Sequence, residues 1–290
     1  MIYFCADDYG LCSASSMRIL RCAEEGCLNK VSVFPNFEKI DSEIFSKNKE
    51  VEYSLHLNLV EGKCMSDSLE NGFLTEKDGR FKYTFAGLYF LSLFKKKKFK
   101  EQVYKEIKAQ ILFWKSIMPI GNGMLIDSHQ HTHMIPSVFE VLMKILEEEK
   151  INVKYLRIPA EPIKPYILTP SLYFTYNPIN IIKQWLLKFF WLINKKHYKK
   201  YEVPTAEFFG ILFSGKMDKK RVEKVLPHFI RLASSKKKNI EVLFHPGYIE
   251  KNEKALLPSG IPFEDFYTSS GRKIEFDTII NLIDRERSVR

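Results

Sequence analysis

The chain has 290 residues, 45% of them apolar and 28% charged, a balance that excludes a mostly disordered protein. At this length a compact fold buries roughly 75% of the surface its unfolded chain exposes, so the core needs no disulfide or metal staple. The 45 Lys and Arg outnumber the 35 Asp and Glu to give a formal charge of +10, which favours anionic partners without saying anything of the fold.

The opening run MIYFCADDYG lacks a basic start and is interrupted by Asp7 and Asp8, so it does not read as a secretory leader. The longest uncharged stretch, between Lys164 and Lys183, contains Pro165, Pro170 and Pro178 and makes a poor transmembrane helix. Cys5, Cys12, Cys22, Cys27 and Cys64 are odd in number and form no CxxC pair. That predicts reduced thiols and a cytoplasmic protein rather than a disulfide framework or a zinc ribbon. With no internal repeat and no Gly/Ser linker, residues 1–290 read as a single domain.

In chain order, short apolar runs predict strands over 2–6, 30–34, 53–57, 124–127, 153–158, 208–213 and 240–244. Helical periodicity covers 14–25 behind a Ser13 cap, 99–117 and 137–150. Two-sided apolar strands alternating with helices predict a parallel α/β architecture, either an open sheet or a barrel. The stretch 163–201 breaks this rhythm and reads as an insertion or lid.

Polar residues sit where those strands end: Asp7 and Asp8, His56, Asp127 and His129, Arg157, and His245. In parallel α/β folds such ends converge on one mouth, where sites form. Adjacent carboxylates in Ala6-Asp7-Asp8-Tyr9-Gly10 cannot both be buried and ionised without a cation. A metal on one would leave the other free as a base, whereas the plain alternative is a helix cap. His56, inside an otherwise apolar strand, needs either a metal or a core hydrogen bond. In Asp127-Ser128-His129-Gln130-His131-Thr132-His133, three histidines at alternate positions can share a face. Imidazole and carboxylate together suit divalent transition metals, and Asp127 could fix the tautomer of a ligand His. His245, before a Pro-Gly turn, is suited to proton donation near neutral pH. No GxSxG elbow, Walker A loop, GxGxxG or HExxH motif occurs.

Taken together, ADDYG (6–10), LHLNLVEG (55–62), DSHQHTHM (127–134), RIPAE (157–161) and HPG (245–247) resemble the YdjC-like carbohydrate deacetylase family, which includes chitooligosaccharide deacetylases. The resemblance spans nearly the whole chain. It implies a distorted (β/α) barrel of the polysaccharide-deacetylase type, with 163–201 as a helical, aromatic insertion. It implies a metal-dependent hydrolase that removes the acetyl group from an N-acetylated sugar. By motif position it implies a divalent metal, Mg²⁺ or Zn²⁺, on Asp8, His56 and His129. Asp7 would then be the general base and His245 the general acid. Asp127, His131, His133, Arg157 and Glu161 would support the centre or contact substrate. The chain departs from the family at Tyr9, where Phe is usual, and at Cys12, where Ser is usual.

The basic excess concentrates in 95–115, 183–200 and 216–238, which leaves the remainder net acidic. Within the middle segment Ile182, Trp185, Leu186, Phe189, Phe190 and Ile193 follow one helical stripe, flanked by lysines. Trp185, Phe189, Phe190, Trp191, Lys195 and Lys196 are therefore candidates for contact with an anionic membrane, at the inner face in a cytoplasmic protein. A lid or a homodimer contact is the alternative. The substrate expected on this reading is a lipid-linked sugar or an oligosaccharide. Two other functions compete: a different metal-dependent hydrolase on the same barrel, and a basic nucleic-acid-binding protein. No RRM, zinc finger or helix-turn-helix pattern supports the latter, so no nucleic acid partner is expected.

Overall fold

In the computed structural model, strand β1 (Ile2–Tyr9) is an interior strand of a seven-stranded sheet. The others are β2 (Lys30–Val33), β3 (Glu52–Leu57), β4 (Met124–Ser128), β5 (Val153–Leu156), β6 (Ala206–Phe209) and β7 (Asn239–Phe244). The structure describes residues 1–282 apart from 39, 41, 68–71, 119, 120, 122, 202 and 260. The strands run in the order β5-β4-β3-β2-β1-β7-β6 and every neighbouring pair is parallel. The sheet curls into a half-barrel: the Leu156 amide, at the end of β5, donates 3.0 Å to the Pro204 carbonyl on the approach to β6.

The helices in chain order are α1 (Ser13–Glu25), α2 (Ile44–Lys47), α3 (Phe85–Phe94), α4 (Lys96–Ile117), α5 (Pro136–Glu148), α6 (Lys164–Ile167), α7 (Pro178–Tyr198), α8 (Lys219–Ser235), α9 (Glu264–Tyr267) and α10 (Ser270–Asn281). α1, α4, α8 and α10 pack on the outer face of the sheet. α5 shows why these segments are helical. Pro136 starts it without losing a hydrogen bond, and Val138, Phe139, Leu142, Ile145 and Leu146 bury one face.

The inner face of the sheet is ionic at its middle. Lys30 and Glu241 lie on strands flanking β1 and are fully buried. The Lys30 ammonium reaches Glu241 at 2.8 Å and Asp127 at 3.2 Å and sits 4.3 Å over the Tyr155 ring. These pairs are shielded from water and from salt, so removing one partner would strand a buried charge.

Two expected elements shift. The run 208–213 is a strand only through Phe209, because β6 begins at Ala206 and the chain turns at Gly210. Gly210 has φ +149°, and a Cβ there would lie 2.8 Å from the Leu243 Cβ, so only glycine fits against β7. The insertion 163–201 is helical, but the inner side of α7 is not the apolar stripe read from its sequence. Its fully buried positions are Gln184, Leu187, Phe190 and Asn194. Phe190 packs on Phe85 and Tyr89 of α3, and Trp191 is half-buried against Phe139. Phe190 is therefore withdrawn from any outer contact surface, whereas Trp185, Phe189, Lys195 and Lys196 remain exposed. No helix among the described residues is long and apolar enough to cross a membrane.

Candidate metal and catalytic centre

The centre lies at the carboxyl ends of β1, β3 and β4. In a regular strand Asp7 and Asp8 would face opposite sides. Here β1 loses its register with β2 between Ala6 and Tyr9, and Asp8 takes φ +73°. That left-handed backbone is unfavourable for a residue with a Cβ, although Asp tolerates it better than most. It lets both carboxylates serve the same mouth.

Asp8, His56 and His129 bring one donor atom each within 4.8 Å of one another, all buried. Asp8 Oδ1 lies 3.5 Å from His56 Nε2 and 3.2 Å from His129 Nδ1. The far side of every group is also held. His56 Nδ1–H donates to Asp127 Oδ1 at 2.6 Å, so Nε2 is turned toward Asp8. His129 Nε2 lies 3.1 Å from Glu61 Oε2, a close ion pair that is not aligned as a hydrogen bond. Arg272, from α10, binds Asp8 Oδ2. Glu61 also accepts from the Tyr267 hydroxyl.

The residues fit a divalent cation. His56 Nε2 is buried with no hydrogen-bond partner, although nitrogen in that position requires one. Glu61 Oε1, behind His129, is likewise buried without a hydrogen-bond partner. Imidazoles backed by carboxylates are the usual outer support of such an ion. Two further groupings, Cys5 with Asp127 and Glu241, and Asp7 with His56 and Asp127, also bring donors together. Lys30 and Arg157 already neutralise their carboxylates, so the Asp8 grouping has the stronger need.

The titrating groups reflect the same contacts. Burial by itself would depress His56, but Asp7, Asp127 and Asp8 outweigh it and raise its pKa to about 9. His129 is raised against its burial by Asp8 and Glu61. For Asp8, burial is opposed by Arg272 and both histidines, which hold the carboxyl well below its ordinary range. Asp127 is likewise held low, chiefly by Arg157 and Lys30 acting against burial.

Asp7 and His245 line one cavity of about 660 Å³ together with His129, His131 and Lys183, within the usual size range for a small-ligand site. Arg157 binds Asp7 through both oxygens. The Glu275 carboxylate accepts the His245 backbone N–H at 2.5 Å and lies 3.5 Å from its Nδ1.

The three histidines after β4 separate. His129 belongs to the buried triad. His131 lines the cavity with Nδ1 unpartnered, and burial and Lys183 keep it neutral. The positive φ values of Gln130 and His131 make this turn. His133 points inward: Nε2–H donates to the Arg157 carbonyl at 2.8 Å, and the Ser128 hydroxyl donates to Nδ1 at 2.5 Å. With both nitrogens used, His133 has no atom left for substrate. Arg157 is fully buried beneath Asp7 and is equally closed to substrate. Glu161 is buried behind the cavity wall, where it accepts from the amides of Gly210, Ile211 and Leu212.

Sequence reasoning missed Arg272, Glu275, Glu61 as a partner of His129, and the Lys30–Glu241 pair. One signal was present. Arg272, Glu275, Phe276 and Ile279 follow i, i+3, i+4, i+7, so the two charges share the buried face of α10.

Fold and centre together define the class: an α/β half-barrel protein with a buried carboxylate–imidazole centre, able to hold a cation, at the carboxyl ends of its strands. The chain belongs to the YdjC-like protein family, whose family model matches residues 1–281. Relatives described as carbohydrate deacetylases include those of Danio rerio (31% identical over 160 residues, 54% of this chain and 49% of the relative) and Oceanobacillus iheyensis (27% identical over 165 residues, 56% and 65%). The chain spans about half the length of the vertebrate relatives it matches, including that of Xenopus laevis, which is 32% identical over 164 residues, 53% of this chain and 49% of the relative. A crystal structure from Enterococcus faecalis V583, of a candidate cellobiose-phosphate cleavage protein, shares the fold. Its TM-score is 0.59 at 19% identity, covering 99% of this chain and 98% of that one.

Proposed function

We propose that the protein is a metal-dependent carbohydrate deacetylase that hydrolyses the N-acetyl group of a sugar, carried on an oligosaccharide or a lipid. Residues 1–290 act as its single catalytic domain in this reading. The observation that carries it is the Asp8–His56–His129 triad, with a partner behind each member, beside a cavity lined by the Asp7 carboxylate and the His245 imidazole. The relatives' description as carbohydrate deacetylases supports the choice of bond.

Asp8, His56 and His129 would hold Mg²⁺ or Zn²⁺. When bound, such an ion polarises a carbonyl oxygen and acidifies water. Asp7, oriented by the two hydrogen bonds from Arg157, accepts a proton from the attacking water. The water oxygen bonds to the acetyl carbon as the C–N bond breaks. His245, held at its backbone by Glu275, delivers a proton to the departing nitrogen. The products are acetate and an amino sugar. Neutral His131 and Lys183, whose pKa burial lowers, line the same cavity and would contact the sugar.

The test is acetate release from N-acetylated mono-, oligo- and lipid-linked sugars, with and without a chelator. Chelator-sensitive acetate release is the expected result. Hydrolysis of another bond, with no acetate from any N-acetylated sugar, would favour a different hydrolase.

A further inference from the structure

α7 is amphipathic in the wrong sense for a helix that only covers a barrel. Its buried line includes two amides. Gln184 donates to the Glu161 carbonyl at 3.3 Å and Asn194 to the Met134 carbonyl at 2.8 Å. Its outward line is Ile179, Ile182, Trp185, Phe189 and Leu192, spaced three or four residues apart. Trp185 is 61% exposed and Phe189 53%. α3 beside it, joined through Phe85, Tyr89 and Phe190, is apolar nearly throughout and leaves Phe90, Leu93 and Phe94 exposed, Phe94 by 76%. Scattered surface leucines need no explanation, but two neighbouring helices with aromatic outer faces do.

The charge around this face is equally one-sided. Lys100 pairs with Glu140 of α5 at 2.5 Å, and Glu140 lies within electrostatic reach of Lys96 and His197. The start of α4 and the end of α7 therefore meet at one place. Lys96, Lys97, Lys195, Lys196 and Lys199 have no ion-pair partner among the described residues.

We propose that the outer face of α7, with the end of α3, lies on an anionic phospholipid bilayer. Apolar side chains enter the headgroup boundary while lysines remain at the phosphate level, as interfacial helices do. A second copy of the chain is the weaker occupant, because pairing these faces would also bring unpaired lysines together. No helix needs to span the bilayer. The first turns of α7 reach the catalytic cavity, which Ile179, Asn180 and Lys183 line. A bilayer on this face would thus place headgroup-linked sugars beside the cavity mouth. The surface stands independently of the deacetylase reading, and its test measures no turnover.

The experiment is co-sedimentation of the full chain with phosphatidylglycerol–phosphatidylcholine vesicles at low salt, alongside pure phosphatidylcholine, with tryptophan emission recorded. The expected result is pelleting with the anionic vesicles only, with a blue shift that Trp185→Phe diminishes. Phe189→Glu should abolish binding while unfolding like the wild type, since the residue is exposed. Lys195→Gln with Lys196→Gln should weaken binding roughly 30-fold. Three results would overturn the proposal: no binding at low salt, binding indifferent to Phe189→Glu, or a vesicle-blind dimer that Phe189→Glu dissociates.

Discussion

Arg157 grips both oxygens of Asp7, Nη1 to Oδ2 at 2.7 Å and Nη2 to Oδ1 at 2.8 Å, while its Nε reaches Glu241 at 3.0 Å. The guanidinium thus ties the mouth of the half-barrel to its ionic middle. A bidentate arginine fixes the plane of a carboxylate, which lysine cannot do.

Asp7→Asn should keep its metal, measured by elemental analysis, yet lose roughly 10²–10⁴-fold in turnover. Wild-type turnover would remove Asp7 as the base. Arg157→Met leaves Asp7, Asp127 and Glu241 without their shared cation. It should cost about 3–5 kcal/mol, read as a lower denaturation midpoint.

The two ends of the histidine run should respond differently. His129→Ala should lose bound metal with little loss of fold. His133→Ala should retain metal but lose stability by about 1–3 kcal/mol, because it strands the Ser128 hydroxyl and the Arg157 carbonyl. Glu61→Gln should weaken metal affinity by roughly 10–100-fold in chelator competition. Equal metal loss in His129→Ala and His133→Ala would contradict the geometry.

Stability should depend on pH on both sides of neutrality. Glu241 is buried, but Arg157 and Lys30 lower its pKa to about 2. Its contribution is present above the unfolded value near 4.5 and is lost as pH falls toward 2. Burial lowers His133 to about 4. The unfolded chain therefore takes up this proton first, and stability falls from about pH 6.5 to 4. Each effect is on the order of 3 kcal/mol. His56 runs the other way: with its pKa raised to about 9, it stabilises the metal-free protein below pH 6.5 and loses that effect as pH rises through 9. Chelated protein should be most stable near pH 6.5 in denaturant titrations. Added metal should flatten the alkaline limb, and Glu241→Gln the part of the acid limb below about pH 4.5.

Gly210→Ala should destabilise the protein by about 1–3 kcal/mol. The new methyl would press on Leu243 and displace the amides that Glu161 collects. An unchanged midpoint would mean that the wall yields freely.

The half-barrel was legible because its strands are short and largely apolar runs between helices, and their ends carry Asp7, Asp8, His56 and His129. Glu275 and Arg272 escaped because they lie in the last helix, where nothing local links them to His245 or Asp8. The inner face of α7 was misread for a different reason. Periodicity weighs apolarity, and α7 anchors itself with Gln184 and Asn194 while its most apolar side faces out. Lys30 and Glu241 were invisible as a pair because 211 residues separate them.

The position of β1 between β2 and β7 has a consequence for biosynthesis. One edge of β1 stays open until residues 239–244 emerge from the ribosome. At ordinary elongation rates that is on the order of ten seconds or more after β1 itself. Arg272, which steadies Asp8, emerges later still. The nascent chain therefore exposes an unpaired strand edge until β7 has been made, and Asp8 lacks its arginine until Arg272 has followed.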